Sequence, residues 1–189
     1  MKILVINGHP DAQSYISALF NTYIKQIDTQ KHQLEVLELG KMKFDPVLRY
    51  GYRKRMEPDV EIEQSQALLK WAEHLVIFYP IWFETMPSLL KGWFDRVLAP
   101  GVAYNMNGYH ITKHFYGKTA HLVFTSISPT IYQKLRGDIE LKTVKRMLDF
   151  CGIKVKYVDR LGHYVVGKYE SHEKRQQFLT KIEMRAKKL

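Results

Sequence analysis

Apolar and polar positions along this chain fall into blocks whose period switches between that of a strand and that of a helix. Residues 2–7 are a continuous apolar run, as expected of a strand covered on both faces. Residues 14–27 place Ile16, Leu19, Phe20, Tyr23, Ile24 and Ile27 at helical spacing. Residues 33–39 set Leu34, Val36, Leu37 and Leu39 around Glu35 and Glu38, which predicts an edge strand. Residues 40–58 have no period and are rich in aromatic and basic side chains. Residues 60–72 return to helical spacing, with Ile62, Leu68, Leu69 and Ala72 inward. A third strand covers 75–79. Pro87 opens a helix to Val97, at or near its first position, where the missing N–H costs nothing. Residues 101–117 predict a second long loop, 119–126 a fourth strand, and 138–150 a helix stopped at Gly152. A fifth strand (153–161) and a last helix (171–187) complete the chain.

Five strands separated by helical crossovers imply an α/β protein, one domain over 1–189, with a parallel sheet covered by helices on both faces. Ligands of such sheets lie outside the carboxyl ends of the strands, at the switch in strand order. The loops on that edge are 8–13, 40–58, 80–86 and 127–136. The third strand therefore delivers Ile81, Trp82 and Phe83 onto the ligand edge. Loops normally sit in water, so large apolar side chains there point to a flat apolar ligand or a partner surface. The competing possibility is a loop tucked into the core.

Composition adjusts this picture only slightly. A chain of 189 residues with 46% hydrophobic and 25% charged positions is an ordinary globular domain. Its formal net charge of +10 favours anionic partners such as phosphorylated cofactors. The excess is spread along the chain and no nucleic-acid motif accompanies it, so nucleic acid is not an expected partner. The lone Cys151 lies in an apolar run and reads as a buried structural thiol. No His/Cys spacing resembles a metal site. The first apolar run is too short for a signal segment and no stretch approaches a membrane span, so a cytoplasmic location is the default expectation.

The first loop runs Gly8-His9-Pro10-Asp11-Ala12-Gln13-Ser14 into a helix, whose N-terminus suits phosphate. No Gly-Lys-Ser/Thr follows and only one glycine is present, which excludes a P-loop and a dinucleotide fingerprint. Ser14 either caps the helix or donates to a phosphate oxygen, and His9 adds a donor. In the third loop, apolar walls and the backbone N–H groups of Trp82 and Phe83 offer what an isoalloxazine ring needs: faces to pack on and donors to its edge atoms. The fourth loop, Thr125-Ser126-Ile127-Ser128-Pro129-Thr130, is either a donor to a flavin edge or an ordinary polar turn.

Gly8-His9-Pro10, the run LVIFYPIWF at 75–83, MPSLLKGWFDRV at 86–97 and Ala103-Tyr104 together resemble the flavodoxin-like NAD(P)H:quinone oxidoreductases. The likeness covers essentially the whole chain. It implies a flavodoxin-like three-layer α/β/α sandwich, a five-stranded parallel sheet of order 2-1-3-4-5, tightly bound FMN or FAD, and a homodimer with two sites at its interface. It also implies hydride transfer from NAD(P)H to flavin N5 and on to a quinone-like acceptor by ping-pong exchange. Carried over by position, His9, Ser14, Tyr15 and Ser17 would surround the flavin phosphate and tail. Pro80, Ile81, Trp82 and Phe83 would hold the ring. Thr125, Ser126, Ile127 and Ser128 occupy the place of the family's Thr-Thr-Gly-Gly turn. Tyr104 matches an aromatic that closes the substrate pocket from the partner subunit, and Met106 replaces a second pocket tyrosine. Tyr132 falls near a tyrosine that balances charge on the reduced flavin, whereas no histidine occurs between Thr125 and Asp138. The helix at 87–97 carries Leu89, Leu90, Trp93, Phe94 and Val97, too apolar for one buried stripe, and is expected to serve the dimer. Some members of the family are ancillary subunits of potassium-efflux systems, so a flavin-binding regulatory subunit docked on a membrane transporter is the alternative function. A one-electron flavodoxin is disfavoured by the basic charge.

Overall fold

Strands buried on both faces must find neighbours on both sides, and the apolar runs do so in the computed structural model, which describes residues 1–164 and 171–189. In chain order the elements are β1 (Lys2–Asn7), α1 (Tyr15–Gln26), β2 (Gln33–Glu38), α2 (Val60–Trp71), β3 (His74–Pro80), α3 (Ser88–Val97), β4 (Tyr104–Asn107), β5 (His110–Lys113), β6 (Thr119–Thr125), α4 (Thr130–Leu135), α5 (Ile139–Phe150), β7 (Lys154–Leu161) and α6 (His172–Ala186). The main sheet has the order β2-β1-β3-β6-β7, every pair parallel. Counted over these five strands it is 2-1-3-4-5, as expected. β3 is buried along its whole length, while β2 at the edge keeps exposed positions.

Alternate strand residues feed two cores. Leu4, Ile6, Leu75, Ile77 and Tyr79 pack with α2, α3 and α5, whereas Ile3, Val5, Val76 and Phe78 pack with α1 and α6. This division is the period-two geometry of strands inside a three-layer sandwich.

Three expectations change. The loop at 101–117 contains the antiparallel hairpin β4–β5, turned through Gly108 at φ 59°. Its local signal is Gly108, the glycine at the first position of the two-residue turn Gly108-Tyr109. Residues 130–135 of the fourth loop form the short helix α4. The apolar surplus of α3 is also used within the chain: Leu90, Trp93, Phe94 and Val97 are buried, and only Leu89 is partly open. Trp93 Nε1 donates to Ser65 Oγ on α2 at 3.1 Å, and the aperiodic segment lies so close over α3 that a Cβ at Gly92 would sit 2.3 Å from Pro46 O. The apolarity of α3 therefore carries no argument for a second copy.

Cys151 is buried, and burial pushes its thiol up to about 11, in keeping with a structural role. Among the described residues no helix is long and apolar enough to cross a membrane.

Candidate functional site

The loop between β1 and α1 is organised by its own side chains. Asn7 Nδ2 donates to Ser17 Oγ at 2.9 Å, and Asn7 Oδ1 accepts from His9 N at 3.1 Å. Ser17 Oγ donates to Asp11 O at 2.9 Å and lies 3.0 Å from Ser14 Oγ, which accepts from Ser17 N at 3.1 Å. Ser14 is thus the N-cap of α1. Ser17 is 1% exposed with its hydroxyl fully engaged, so its role is to hold the loop and not to reach a phosphate. Asp11 N donates to His9 Nδ1 at 2.9 Å, which leaves the imidazole proton on Nε2 as a donor. Burial lowers the His9 pKa, keeping that neutral tautomer. The Tyr15 hydroxyl donates to Arg175 O at 2.6 Å, and its ring stacks on Tyr164 at 5.4 Å, reaching far along the chain.

The loop after β3 is built differently. Ile81 N donates to Thr125 O at 2.8 Å, fixing the exit of β3 beside β6. Trp82 N then donates to Thr85 O at 2.8 Å and Thr85 N to Trp82 O at 3.0 Å, closing a two-residue turn. Its central residues, Phe83 at φ 46° and Glu84 at φ 62°, are both left-handed and neither is glycine. A left-handed non-glycine residue costs roughly 1–2 kcal/mol, and such strain gathers where function over-determines the backbone. Glu84 pairs with both terminal nitrogens of Arg136 at the end of α4, and the Arg136 guanidinium lies 5.6 Å from the Tyr132 ring centroid. Of the two N–H groups expected to face a flavin, that of Trp82 is consumed by the turn. That of Phe83 has no partner among the described residues. Trp82 also meets His9 edge to face at 5.4 Å, joining the first and third loops.

The turn after β6 is stapled to the end of β7. Ser126 N donates to Leu161 O at 2.9 Å, Tyr164 N to Ser126 O at 2.8 Å, and His163 N to Ser128 O at 3.2 Å. Ser128 N donates to Ser126 Oγ at 3.1 Å, and Ile127 is left 72% exposed on the rim.

These three loops enclose a cavity of about 500 Å³ at the carboxyl edge of β1, β3 and β6. It is lined by His9, Ser14, Tyr15, Pro80, Ile81, Trp82, Thr125, Ser126 and Ile127, nine of the twelve residues expected to bind a cofactor. Phe83 and Ser128 line a smaller adjoining cavity of about 190 Å³, together with Tyr132. Both cavities share Ile81, Ser126 and Ile127. Sequence reasoning missed Asp11, Ile16 and Tyr164 in the larger cavity and Glu84, Gln133, Arg136, Ile139 and Glu140 in the smaller one. Tyr104 and Met106 line neither. Tyr104 is buried against Phe150 at 4.8 Å, and burial raises its phenol pKa. Met106 is 59% exposed on the hairpin. The chain does not bring these two residues to its own cavity.

The donor set fits a flavin: a helix N-terminus and the His9 Nε2 proton for a phosphate, and Trp82, Ile81, Tyr15, Tyr164 and Ile127 as walls for a flat ring.

A family profile described as the flavodoxin-like fold matches residues 1–186, and the chain belongs to that family. A Penicillium crustosum protein named ribosyldihydronicotinamide dehydrogenase-like protein traD is 30% identical over 134 residues, 61% of this chain and 50% of its own length. The chain thus spans about half of that relative. A Pongo abelii protein named ribosyldihydronicotinamide dehydrogenase [quinone] is 28% identical over 182 residues, 82% of this chain and 78% of its own. The crystal structure of Smu.1420 from Streptococcus mutans UA159 superposes over 100% of both chains, with a TM-score of 0.86 and 28% identity.

Proposed function

We propose that this member of the flavodoxin-like fold family is a flavin-dependent NAD(P)H oxidoreductase, a single domain that reduces a quinone or a similar flat acceptor. The observation that carries this reading is the cavity at the switch between β1 and β3, where apolar walls meet a helix N-terminus and a fixed imidazole donor. The relative named for a dihydronicotinamide donor and a quinone acceptor supports the same pair of substrates.

A flavin bound there supplies hydride chemistry that the side chains lack. The residues bind and orient. The N-terminus of α1 and His9 Nε2–H receive the phosphate of FMN or FAD. Trp82, Ile81 and Ile127 form the walls against the ring, and the unpartnered N–H of Phe83 is a donor for its edge. Tyr132, half-exposed in the adjoining cavity, would balance charge at that edge through its hydroxyl.

The working form in this reading is a homodimer, with Tyr104 and Met106 meeting the cavity of the other copy. Support comes from exposed apolar residues: Phe83 at 104% and Ile127 at 72%, which line the cavities, and Leu135 at 82% and Ile131 at 71% on α4. A cytoplasmic location is part of this reading, and a single buried thiol suits a reducing compartment.

The test is direct. Purified protein should be yellow, release FMN or FAD identifiable by chromatography, bleach on adding NAD(P)H and recover colour on adding menadione. Protein that takes up no flavin overturns the reading. Light scattering at micromolar concentration should give a dimer mass, and a monomer would remove the second copy from the site.

A further inference from the structure

The net charge of +10 is unevenly placed on the folded chain. Residues 134–164 and 171–189 carry 14 Lys and Arg against 6 Asp and Glu, which is eight of the ten net positive charges. Residues 1–133 are nearly balanced, with 14 against 12. The fold brings the basic part to one rim. β7 ends the sheet, with α5 packed in the first core on one side and α6 in the second core on the other. The opposite end of the sheet, β2, carries Glu35 and Glu38 and no cation.

On α5, Lys142, Lys145 and Arg146 are exposed and stand three and four residues apart, on one face of the helix. Lys154 and Lys156 are exposed on β7, and Lys188 is exposed beyond the end of α6. The acids of the rim are engaged by other cations: Asp138 by Arg160, Asp149 by Lys113, Asp159 by Lys181 and Arg185, and Glu183 by Lys187. Lysines guard an edge strand against pairing with other chains. That accounts for Lys154 and Lys156 but not for the cations of the two helices.

The composition of the rim selects among anionic partners. Lysine is a compact, hydrated charge that suits a diffuse field, whereas bidentate phosphate recognition belongs to arginine, and Arg160 and Arg185 are held in ion pairs. Exposed apolar residues continue the same stripes: Ile139 and Phe150 lie three before Lys142 and four after Arg146, and Met184 lies between Lys181 and Lys188. Cations interleaved with apolar side chains fit a layer of anionic headgroups over acyl chains.

We propose that the α5–β7–α6 rim docks the protein on an anionic lipid bilayer. The docking is peripheral, since among the described residues no helix is long and apolar enough to cross a membrane. The preference for a bilayer rests in part on the oxidoreductase reading, because quinones with long apolar tails reside in membranes and the rim would bring the cavity to its acceptor. Each cation near such a surface strengthens binding roughly fivefold.

The experiment sediments the purified protein with vesicles. Phosphatidylcholine mixed with phosphatidylglycerol should carry it down at about 0.1 M salt and release it at about 1 M, where the Debye length has shrunk from about 10 to about 3 Å. Phosphatidylcholine alone should not carry it down. Lys145→Ala/Arg146→Ala should bind the anionic vesicles about twentyfold more weakly, with an unchanged melting temperature and unchanged menadione reduction in solution. Lys31→Ala/Lys41→Ala, on either side of β2, should bind like the wild type. Failure of the wild type to bind anionic vesicles overturns the proposal. So does an equal loss in the two double variants, which would make net charge and not the rim responsible. Tighter binding to a duplex oligonucleotide than to the anionic vesicles at the same salt overturns it in favour of nucleic acid. If Lys145→Ala/Arg146→Ala does not fold, Lys154→Ala/Lys188→Ala is judged by the same criteria. Menadione reduction by NAD(P)H is scored separately: its absence sinks the oxidoreductase reading, while vesicle binding still judges the rim.

Discussion

Among the described residues seven buried side-chain polar atoms are unmet, and two groups of them differ in setting: one lies within a core, the other beside a cavity. Beneath α1 and α6, Tyr23 OH, His74 Nε2 and His121 Nδ1 have no partner among the described residues. All three side chains are sealed in the second core, with Tyr23 5.9 Å from the His121 ring. At the sheet's carboxyl edge, Gln133 and Glu140 are equally unmet but border a cavity. An unmet atom lowers stability in both places. The sealed cluster has to be compensated from within, and Asp159 does this. It accepts from His121 Nε2 at 2.9 Å, Lys181 Nζ at 2.8 Å and Arg185 Nε at 3.1 Å. Burial alone would raise its carboxyl pKa, but these hydrogen bonds hold it well below the usual carboxylate range.

Removing that anchor should produce the largest effect in the molecule. Asp159→Ala leaves His121 without its acceptor and two cations without their counter-charge, a loss of about 3–5 kcal/mol for a broken buried pair. Urea unfolding followed by circular dichroism measures it. A loss under 1 kcal/mol would mean that the sealed cluster needs no internal compensation. The sign for the wild type follows from the depressed carboxyl: its stabilisation is complete above the unfolded carboxylate range and is lost only as pH falls through the lower folded value.

His74 in the same cluster titrates higher and gives the next largest effect. Burial, then the neighbouring charges of His121 and Lys156, lower its pKa from 6.5 to about 4. The folded protein therefore disfavours the imidazolium that the unfolded chain forms freely. Stability from this group is unaffected above pH 6.5 and falls steadily as pH drops to 4, by about 3 kcal/mol in all. His74→Gln should remove that slope, so wild type and variant should diverge in urea titrations between those pH values. Parallel curves would show that the cluster is open to water, which would erase its contrast with the edge cavity.

At the edge itself the expected effects are on binding. Trp82→Ala deletes the wall that joins His9 to the third loop, and flavin retention should weaken roughly tenfold, the scale of one aromatic contact. Unchanged flavin content in the purified variant would remove Trp82 from the ring site.

How much of this was legible in the sequence follows from burial. β1, β3 and β6 read as continuous apolar runs because both of their faces are covered. The hairpin β4–β5 was missed because each strand is four residues long, so the alternation of Tyr104 and Met106 with Asn105 and Asn107 is too short to stand out. The helix α4, six residues long, is too short to show a period. The cavity loops were placed correctly because strand ends are fixed by topology. What the residue type could not reveal was the partner of each group. Ser17 looks like a phosphate donor until Asn7 and Asp11 are seen to hold it. Tyr104 does not reach the cavity of its own chain and packs instead on Phe150. Tyr164 enters the cavity through its stack on Tyr15 and the bond of its N–H to Ser126 O, contacts with no local signal.

The smallest predicted effect separates the two loops that face each other across the larger cavity. The β1–α1 loop satisfies itself through Asn7, Ser14 and Ser17, whereas the β3–α3 turn carries two left-handed side chains. Phe83, wholly exposed at φ 46°, gains nothing from packing within the chain. Phe83→Gly should therefore relieve backbone strain and raise stability by about 1 kcal/mol. Part of that gain is offset by the extra freedom glycine has in the unfolded state. The same change deletes an apolar wall of the smaller cavity, so acceptor binding should weaken as the melting temperature rises. Opposite shifts in the two measurements would mark the turn as strain kept for a ligand or partner. A variant that is less stable, or equally good at binding acceptor, would make the strained turn a packing feature like any other.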